Sequence, residues 1–123
     1  MTPFGQKIRE LRAERGLSLK DMAENIGVSA AYLSALEHGH RGSPAWYLVQ
    51  RIISYFNVIW DEAEELEKLA QLSNPRIVVD TSGLSANATF MANNLAKNIK
   101  DLTIDDIQII ENTIKARIIA KRK

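Results

Sequence analysis

The sequence has no cysteine and no long hydrophobic run. The absence of cysteine excludes disulfide bonds, thiolate catalysis and Cys-ligated zinc from this chain. No apolar run approaches the roughly 20 residues that a membrane span needs. The residues from Met1 to Lys7 lead into an amphipathic pattern instead of the apolar centre of a secretory signal. We therefore expect a cytoplasmic protein that makes no contact with a membrane.

The chain also has almost no excess of charge of either sign. Sixteen Lys and Arg residues are balanced by 15 Asp and Glu residues, so the formal net charge is +1. A protein that binds mainly to phosphates is usually more basic, so a nucleic-acid surface in this chain must be a local one. The acidic residues between positions 61 and 67 form a cluster that predicts a solvated helix face or, as the alternative, a docking surface for a basic partner.

The residue patterns of enzymes are missing too. The chain has no carboxylate–histidine constellation and no glycine-rich phosphate loop, so we expect no enzymatic activity. The two histidines, His38 and His40, have no cysteine and no nearby cluster of acids with which to complete a coordination set. We therefore expect no metal and no cofactor.

What the sequence does contain is helical periodicity along most of its length. A first helix begins near Phe4 and ends at Arg15–Gly16. Ser18 and Ser29 are suited to cap two short helices, which Gly27 separates. We expect the third of these helices to end at the glycines that follow it, which are Gly39 and Gly42.

Two further helices are predicted before the middle of the chain. Ser43 followed by Pro44 indicates a cap with proline at the first helical position, and Asn57 ends this fourth helix. A fifth helix covers residues 60–72. A second apolar stripe on the fourth helix is expected to be buried against the C-terminal helices or in a dimer interface, and it consists of Trp46, Val49 and Ile53.

The C-terminal part begins with a short β-branched segment at residues 76–80, which predicts an extended stretch. One isolated strand is not stable, so this segment either lies across the domain or pairs with a second copy of the chain. Ser85 and Thr103 then cap two helices, which we expect to form an antiparallel hairpin that contributes to a homodimer. The apolar seam of this hairpin, called the C-terminal stripe below, consists of Leu95, Ile99, Ile107, Ile110, Ile114 and Ile118.

Residues 17–39 contain the most informative pattern. Two short helices meet at a tight turn at Gly27, and Ala23 is small where these helices must cross. Val28 and Leu33 fill the angle between them. This is the layout of a helix-turn-helix, whose second helix fits the major groove of DNA.

Several separated pieces of the first half match one family in order and at that family's spacing. They are Ile8-Arg9-Glu10-Leu11-Arg12, Gly16-Leu17-Ser18, Met22-Ala23, Gly27-Val28-Ser29, Tyr32-Leu33-Ser34 and Glu37-His38-Gly39. On these residues the stretch 4–58 resembles the lambda-repressor-like, Cro-type helix-turn-helix family, also called the xenobiotic response element (XRE) family. The resemblance covers not quite half of the chain, and the C-terminal half is assigned to no family.

The resemblance implies an all-α fold and a DNA-binding function. We expect a five-helix DNA-binding domain at residues 1–73, an extended connector at 74–84 and a helical hairpin for dimerisation at 85–123. The function implied is that of a sequence-specific transcriptional regulator, a repressor, in a bacterium or phage. It would bind double-stranded DNA as a homodimer on a near-palindromic operator.

The resemblance also implies roles for individual residues. Ser29 would begin the recognition helix. The base-facing set would be Ala30, Ala31, Ser34 and Ala35. The phosphate-facing set would be Ser18, Lys20, Tyr32, His38, His40 and Arg41. Arg12 and Glu37 match an internal salt bridge of the family, so we interpret them as structural.

Two departures from the family's pattern affect DNA recognition. Leu19 stands where the family often has a glutamine that contacts a phosphate. Ala30, Ala31 and Ala35 stand where it often has Gln, Arg or Asn, whose bidentate bonds to bases are worth about 1–3 kcal/mol each. Alanine can contact only thymine methyl groups. Our hypothesis is that specificity depends on these methyls, on Ser29 and Ser34, and on DNA shape.

Two other functions fit the same sequence. In a DNA-binding antitoxin, the region from Trp60 onward would bind a toxin. In a protein–protein adaptor, the helix-turn-helix would have lost DNA binding, and the three alanines favour that interpretation.

Overall fold

The computed structural model of the chain describes residues 1–41 and 43–122. The predicted helix stop at Gly42 and the terminal Lys123 of the predicted hairpin lie outside these residues. The described part contains only helices, which confirms the all-α prediction. They are α1 (Pro3–Glu14), α2 (Leu19–Ile26), α3 (Ala30–Glu37), α4 (Trp46–Phe56), α5 (Asp61–Gln71), α6 (Ala86–Asn98) and α7 (Ile104–Lys121), with a short 3-10 helix at Ile99–Asp101.

The chain divides into two compact units, an N-terminal unit at Met1–Ile77 and a C-terminal unit at Val78–Lys123. In the N-terminal unit, α1 packs against α3 and α5, α2 packs against α3 and α4, and α4 packs against α5. These contacts enclose one hydrophobic core. Its most deeply buried apolar side chains are Phe4, Ile8, Met22, Leu33, Leu36, Ile52 and Leu66.

The predicted caps are present at the starts of four helices. The Ser18 and Ser29 hydroxyl oxygens each accept a backbone N–H at 3.0 Å, from Asp21 and Tyr32 respectively. Ser85 caps α6 in the same way. At the start of α7, Thr103 and Asp106 form the predicted reciprocal capping box, with both hydrogen bonds at 3.0 Å.

The predicted start of α4 was wrong. This helix begins at Trp46, with Ala45 at the N-cap and no side-chain cap, so Pro44 precedes the helix. The hydroxyl of Ser43 instead donates a hydrogen bond to the carbonyl of Ala70 in α5, at 2.6 Å. The hydroxyl of Ser43 therefore makes a tertiary contact, and the local cap that its sequence position suggests is not formed.

Val49 and Ile53 of the second α4 stripe lie in the core of the N-terminal unit, whereas Trp46 is exposed. The chain at Asn57 has the left-handed backbone that ends α4 as predicted.

Ser73, just after α5, accepts a hydrogen bond from the backbone N–H of Phe4 at 2.9 Å. Its own hydroxyl donates to the carbonyl of Leu69. Ser73 thereby fastens the end of α5 to the start of α1.

Gly5 permits a close approach that the sequence pattern did not indicate. A Cβ atom at this position would collide with the backbone carbonyls of Leu36 and Glu37 at the end of α3. The helices α1 and α3 can therefore pack at their observed separation only because residue 5 has no side chain.

The C-terminal unit has a different character, since neither α6 nor α7 contains a buried residue. The members of the C-terminal stripe are between 38% and 53% exposed. The β-branched segment forms no strand in the described part of the chain, and Ile77, Val78 and Val79 are all exposed. None of the described helices combines the length and the hydropathy needed to cross a bilayer.

Candidate DNA interface

The turn between α2 and α3 is built on Gly27. This residue has φ of 80°, a left-handed backbone that glycine adopts without strain. Its N–H and that of Val28 both donate to the carbonyl of Ala23 at 3.0 Å, so the last turn of α2 is closed by the turn itself. Only two residues, Val28 and Ser29, then separate the turn from α3.

The helix α3 presents two contrasting faces. Leu33, Leu36 and Glu37 are buried. Among the residues of the predicted base-facing set, Ala30 and Ala31 are exposed, and Ser34 and Ala35 are partly exposed. The start of α3 is therefore the part of this helix that a large ligand can approach without rearrangement of the core.

An ion pair holds α3 in this position. The guanidinium of Arg12 in α1 donates two hydrogen bonds to the carboxylate of Glu37, at 2.9 and 3.0 Å, and a third to the carbonyl of Leu17 at 3.1 Å. Glu37 is only 1% exposed, and the Arg12 guanidinium is the partner of both of its carboxylate oxygens. The hydrogen bond to Glu37 raises the pKa of Arg12, which remains charged. One side chain thus connects α1, the segment before α2 and the end of α3.

The phosphate-facing set is divided between two places. Ser18 and Lys20 lie at the start of α2, whereas His38, His40 and Arg41 follow α3. The Arg41 guanidinium lies 5.5 Å from the ring centroid of Tyr32, which brings two members of the set together on α3 and the loop after it.

His38 is oriented by a hydrogen bond of 2.8 Å between its Nδ1 atom and the carbonyl of Ser34. Since a carbonyl only accepts, this bond places the ring proton on Nδ1. The rings of His38 and His40 are 6.5 Å apart between centroids. No group of three acidic, histidine or cysteine side chains within the described ranges is arranged to hold a metal ion.

Tyr47 is a candidate contact for which the sequence carries no local signal. It lines an open cleft of about 330 Å³ together with Ser29 and Tyr32 of the recognition-helix region. Its side chain is 64% exposed, and the Arg51 guanidinium lies 5.4 Å from its ring centroid. Arg51 in turn donates a hydrogen bond to the carbonyl of Ile26 at 3.3 Å. Since α4 begins at Trp46, Tyr47 lies in the first turn of that helix.

Comparison with known proteins agrees with this geometry. The family described as "Helix-turn-helix domain" matches residues 3–71. The "HTH-type transcriptional regulator SinR" of Bacillus subtilis (strain 168) is 34% identical over 90 residues, which are 67% of this chain and 81% of SinR. All but the first two and the last six residues of the N-terminal unit therefore fall inside a recognised helix-turn-helix domain.

Two other relatives match about half of this chain. The "Uncharacterized HTH-type transcriptional regulator RghRB" of Bacillus subtilis (strain 168) is 36% identical over 61 residues, 50% of this chain and 44% of that protein. The "HTH-type transcriptional repressor RghR" of the same organism is 34% identical over 61 residues, 50% of this chain and 45% of that protein. The chain thus spans less than half the length of these two relatives.

Among solved structures, the "SinR protein/SinI protein complex" is similar to this chain with a TM-score of 0.42 and 25% sequence identity. The match covers 80% of this chain and 99% of that one.

Proposed function

The chain belongs to the XRE-type helix-turn-helix family of transcriptional regulators, and from this membership we propose that it represses transcription as a homodimer on a near-palindromic operator. The observation that carries the proposal is the α2–Gly27–α3 motif, whose recognition helix is exposed at its start and fixed at its end by Arg12 and Glu37. The relative named as a repressor, RghR, supports the direction of the effect.

The dimer part of the proposal is supported by the C-terminal stripe. Its apolar side chains stay at least 38% exposed in the single chain, and a stripe of this kind is stabilised when a second copy covers it. A C2 homodimer presents two recognition helices to DNA. Its half-sites would be centred about 34 Å apart, one turn of the duplex, or a multiple of that distance.

The base-facing set supports recognition through thymine methyl groups. Ala30 and Ala31 are exposed at the start of α3 and carry no hydrogen-bonding group. Ser29 accepts the N–H of Tyr32, and its hydroxyl proton remains able to donate to a base or a phosphate. Direct readout would therefore consist of apolar contacts supplemented by one or two serines.

Phosphate contacts would position the protein on the duplex. Lys20 and Arg41 supply exposed cations, and Tyr47 supplies an exposed hydroxyl beside Ser29 in the cleft. Contacts of this kind release counterions from DNA, so the observed affinity should fall steeply as the salt concentration rises.

The first experiment is a binding titration with the DNA upstream of the protein's own gene. We expect binding that a scrambled duplex does not compete away and that weakens steeply with salt. Equal affinity for the scrambled duplex would contradict the proposal and favour an adaptor. Copurification of a small protein encoded next to this one would instead favour an antitoxin.

A second experiment tests thymine methyl readout directly. Each thymine of the bound site is replaced in turn by uracil, which lacks only the methyl group. We expect the affinity to fall about two- to fivefold at contacted positions, in keeping with the loss of one methyl contact. For the variant Ala31→Gly, replacing thymine by uracil should no longer lower the affinity at one of these positions.

The matched control is Ala13→Gly, an equivalent change on the exposed surface of α1. It controls for the cost of glycine within a helix and should keep the full response to uracil. If no uracil substitution lowers the affinity, recognition through thymine methyls is wrong, whereas the regulator proposal would still stand on the first experiment.

A further inference from the structure

The segment from Arg76 to Asp80 has the sequence Arg-Ile-Val-Val-Asp and directly follows Pro75. We propose that this segment pairs antiparallel with the same segment of a second copy of the chain, with the two-fold axis passing beside Val78. The inference rests on the homodimer proposed above, because a two-stranded pair of this length is not stable in isolation. It adds an interface that is distinct from the C-terminal stripe.

The exposure of the segment is the first observation in favour of pairing. Ile77, Val78 and Val79 are 73%, 90% and 63% exposed, although three consecutive β-branched residues favour a strand. No hydrogen bond joins the backbone of residues 77–80 to another described residue. Unpaired backbone groups that carry apolar side chains are the usual template for strand addition.

The charges identify the occupant as a second copy. In an antiparallel pair centred on Val78, Arg76 stands opposite Asp80 of the partner copy, and Asp80 stands opposite the partner copy's Arg76. Ile77 then faces Val79, and the two Val78 residues face each other. Opposite charges and β-branched residues in directly opposed positions stabilise a sheet, so the segment is complementary to itself.

The local hydrogen bonds select one register of backbone pairing. The N–H of Arg76 already donates to the side-chain oxygen of Asn74 at 3.1 Å, so it is not available to the partner strand. Pairing through the backbone groups of Ile77 and Val79 avoids this conflict. It makes Val78 and the Arg76–Asp80 couples non-hydrogen-bonded pairs, in which opposed side chains lie closer together.

Both ends of the segment limit the pairing to these five residues. Pro75 has no N–H to donate, so it does not extend the ladder. At the other end, the Ser82 N–H donates to the Asp80 carboxylate at 2.9 Å, and the turn closes with a Leu84 N–H to Thr81 carbonyl bond at 3.0 Å. The hydrogen bonds from the side chain and backbone of Ser82 also lower the pKa of Asp80.

Disulfide cross-linking tests the position of the axis, because the chain has no cysteine of its own. In Val78→Cys the two thiols face each other at a Cα separation of about 4.5 Å, within the range that a disulfide requires. In Ile77→Cys each thiol faces Val79 of the other copy. We expect Val78→Cys to form the covalent dimer about tenfold faster than Ile77→Cys or the exposed control Leu84→Cys. Equal rates in the three variants would overturn the proposal.

Charge reversal tests the pairing in the whole chain, without introduced cysteines, by analytical ultracentrifugation. Arg76→Asp and Asp80→Arg each create two like-charge pairs in the dimer, so each should weaken dimerisation about tenfold. The double variant Arg76→Asp/Asp80→Arg restores both couples and should return to the affinity of the unaltered protein. Both substituted positions are exposed in the single chain, and circular dichroism checks that the helices remain folded.

The outcomes separate this inference from the proposed function. If the dimerisation affinity is the same in all three charge variants as in the unaltered chain, the strand pairing is wrong and the homodimer still stands. An unaltered chain that remains monomeric at high concentration would overturn both. DNA binding by that monomer would still preserve the assignment as a helix-turn-helix regulator.

Discussion

The two units of the chain use similar helices in opposite ways. In the N-terminal unit, five helices bury their apolar faces against one another, and the core includes side chains such as Phe4 and Ile52 with no exposure at all. In the C-terminal unit, α6 and α7 also carry an apolar stripe, but its members stay 38% to 53% exposed. The difference shows that an amphipathic pattern predicts a cover for the apolar face of a helix. It does not say whether the same chain or another chain supplies that cover.

The largest expected effect of a single change is a cavity in the N-terminal core. Leu33 is fully buried between the helices, so Leu33→Ala should lower the free energy of unfolding by about 2–5 kcal/mol. Chemical denaturation followed by the fluorescence of Trp46 and Trp60 measures this, since both tryptophans lie in this unit. Leu84→Ala, at an exposed leucine, is the control. A loss below about 0.5 kcal/mol would show that Leu33 contributes no more than a surface residue.

A charge introduced into the C-terminal stripe should affect dimerisation and not the stability of the N-terminal unit. Ile110→Glu should weaken dimerisation by about a hundredfold or more, because it places an unpaired carboxylate in the proposed interface. The unfolding of the N-terminal unit should not change. Sedimentation at several concentrations measures the first effect. The control is Asn112→Glu, on the same helix but outside the stripe, and equal effects of the two variants would contradict the stripe as an interface.

A smaller effect is expected at Gly5, where helix propensity and packing have opposite signs. Alanine normally stabilises a helix relative to glycine. The Cβ added by Gly5→Ala would collide with the carbonyl of Leu36, so we expect a net destabilisation of about 1–3 kcal/mol. The sign of the change in stability is decided by comparing the thermal unfolding of Gly5→Ala with that of Gln6→Ala, a variant of the exposed neighbouring residue. A gain in stability would mean that α1 and α3 separate at little cost.

The smallest effect concerns the cleft beside the recognition helix. Tyr47→Phe removes one exposed hydroxyl and should lower DNA affinity about tenfold, the low end of the usual value of a hydrogen bond to a charged group such as a phosphate. Tyr55→Phe is the matched control, since Tyr55 does not line that cleft. Fluorescence anisotropy with labelled operator DNA measures both variants. Equal affinities for the two variants would remove Tyr47 from the interface.

Local signals in the sequence predicted the local structure well. Ser18, Ser29, Gly27 and the Thr103–Asp106 box act within three or four residues of themselves, so their roles can be recognised without a tertiary structure. The matching motif likewise located Arg12 and Glu37, which form the ion pair of the structure. The base-facing and phosphate-facing sets stay predictions until DNA binding is measured.

The features that the sequence did not reveal depend on contacts between distant residues. Ser43 has the sequence of a cap, but its hydroxyl is engaged by Ala70, which is 27 positions away. Gly5 is indistinguishable from any helical glycine until the carbonyl of Leu36 is seen beside it. Tyr47 became a candidate only because the structure places it in a cleft beside Ser29 and Tyr32 of the α3 region. In each case, the deciding neighbour lies on another helix.

The hydrogen bond between Phe4 and Ser73 has a consequence for the history and engineering of this domain. It joins positions 69 residues apart, so the chain enters and leaves the helix-turn-helix domain at almost the same point. A domain whose ends meet can be inserted into a loop of another protein, or have its ends joined and reopened elsewhere, with little distortion of its core. The helix-turn-helix domain can therefore be transferred as one unit, and the same DNA-binding part can be combined with very different C-terminal domains.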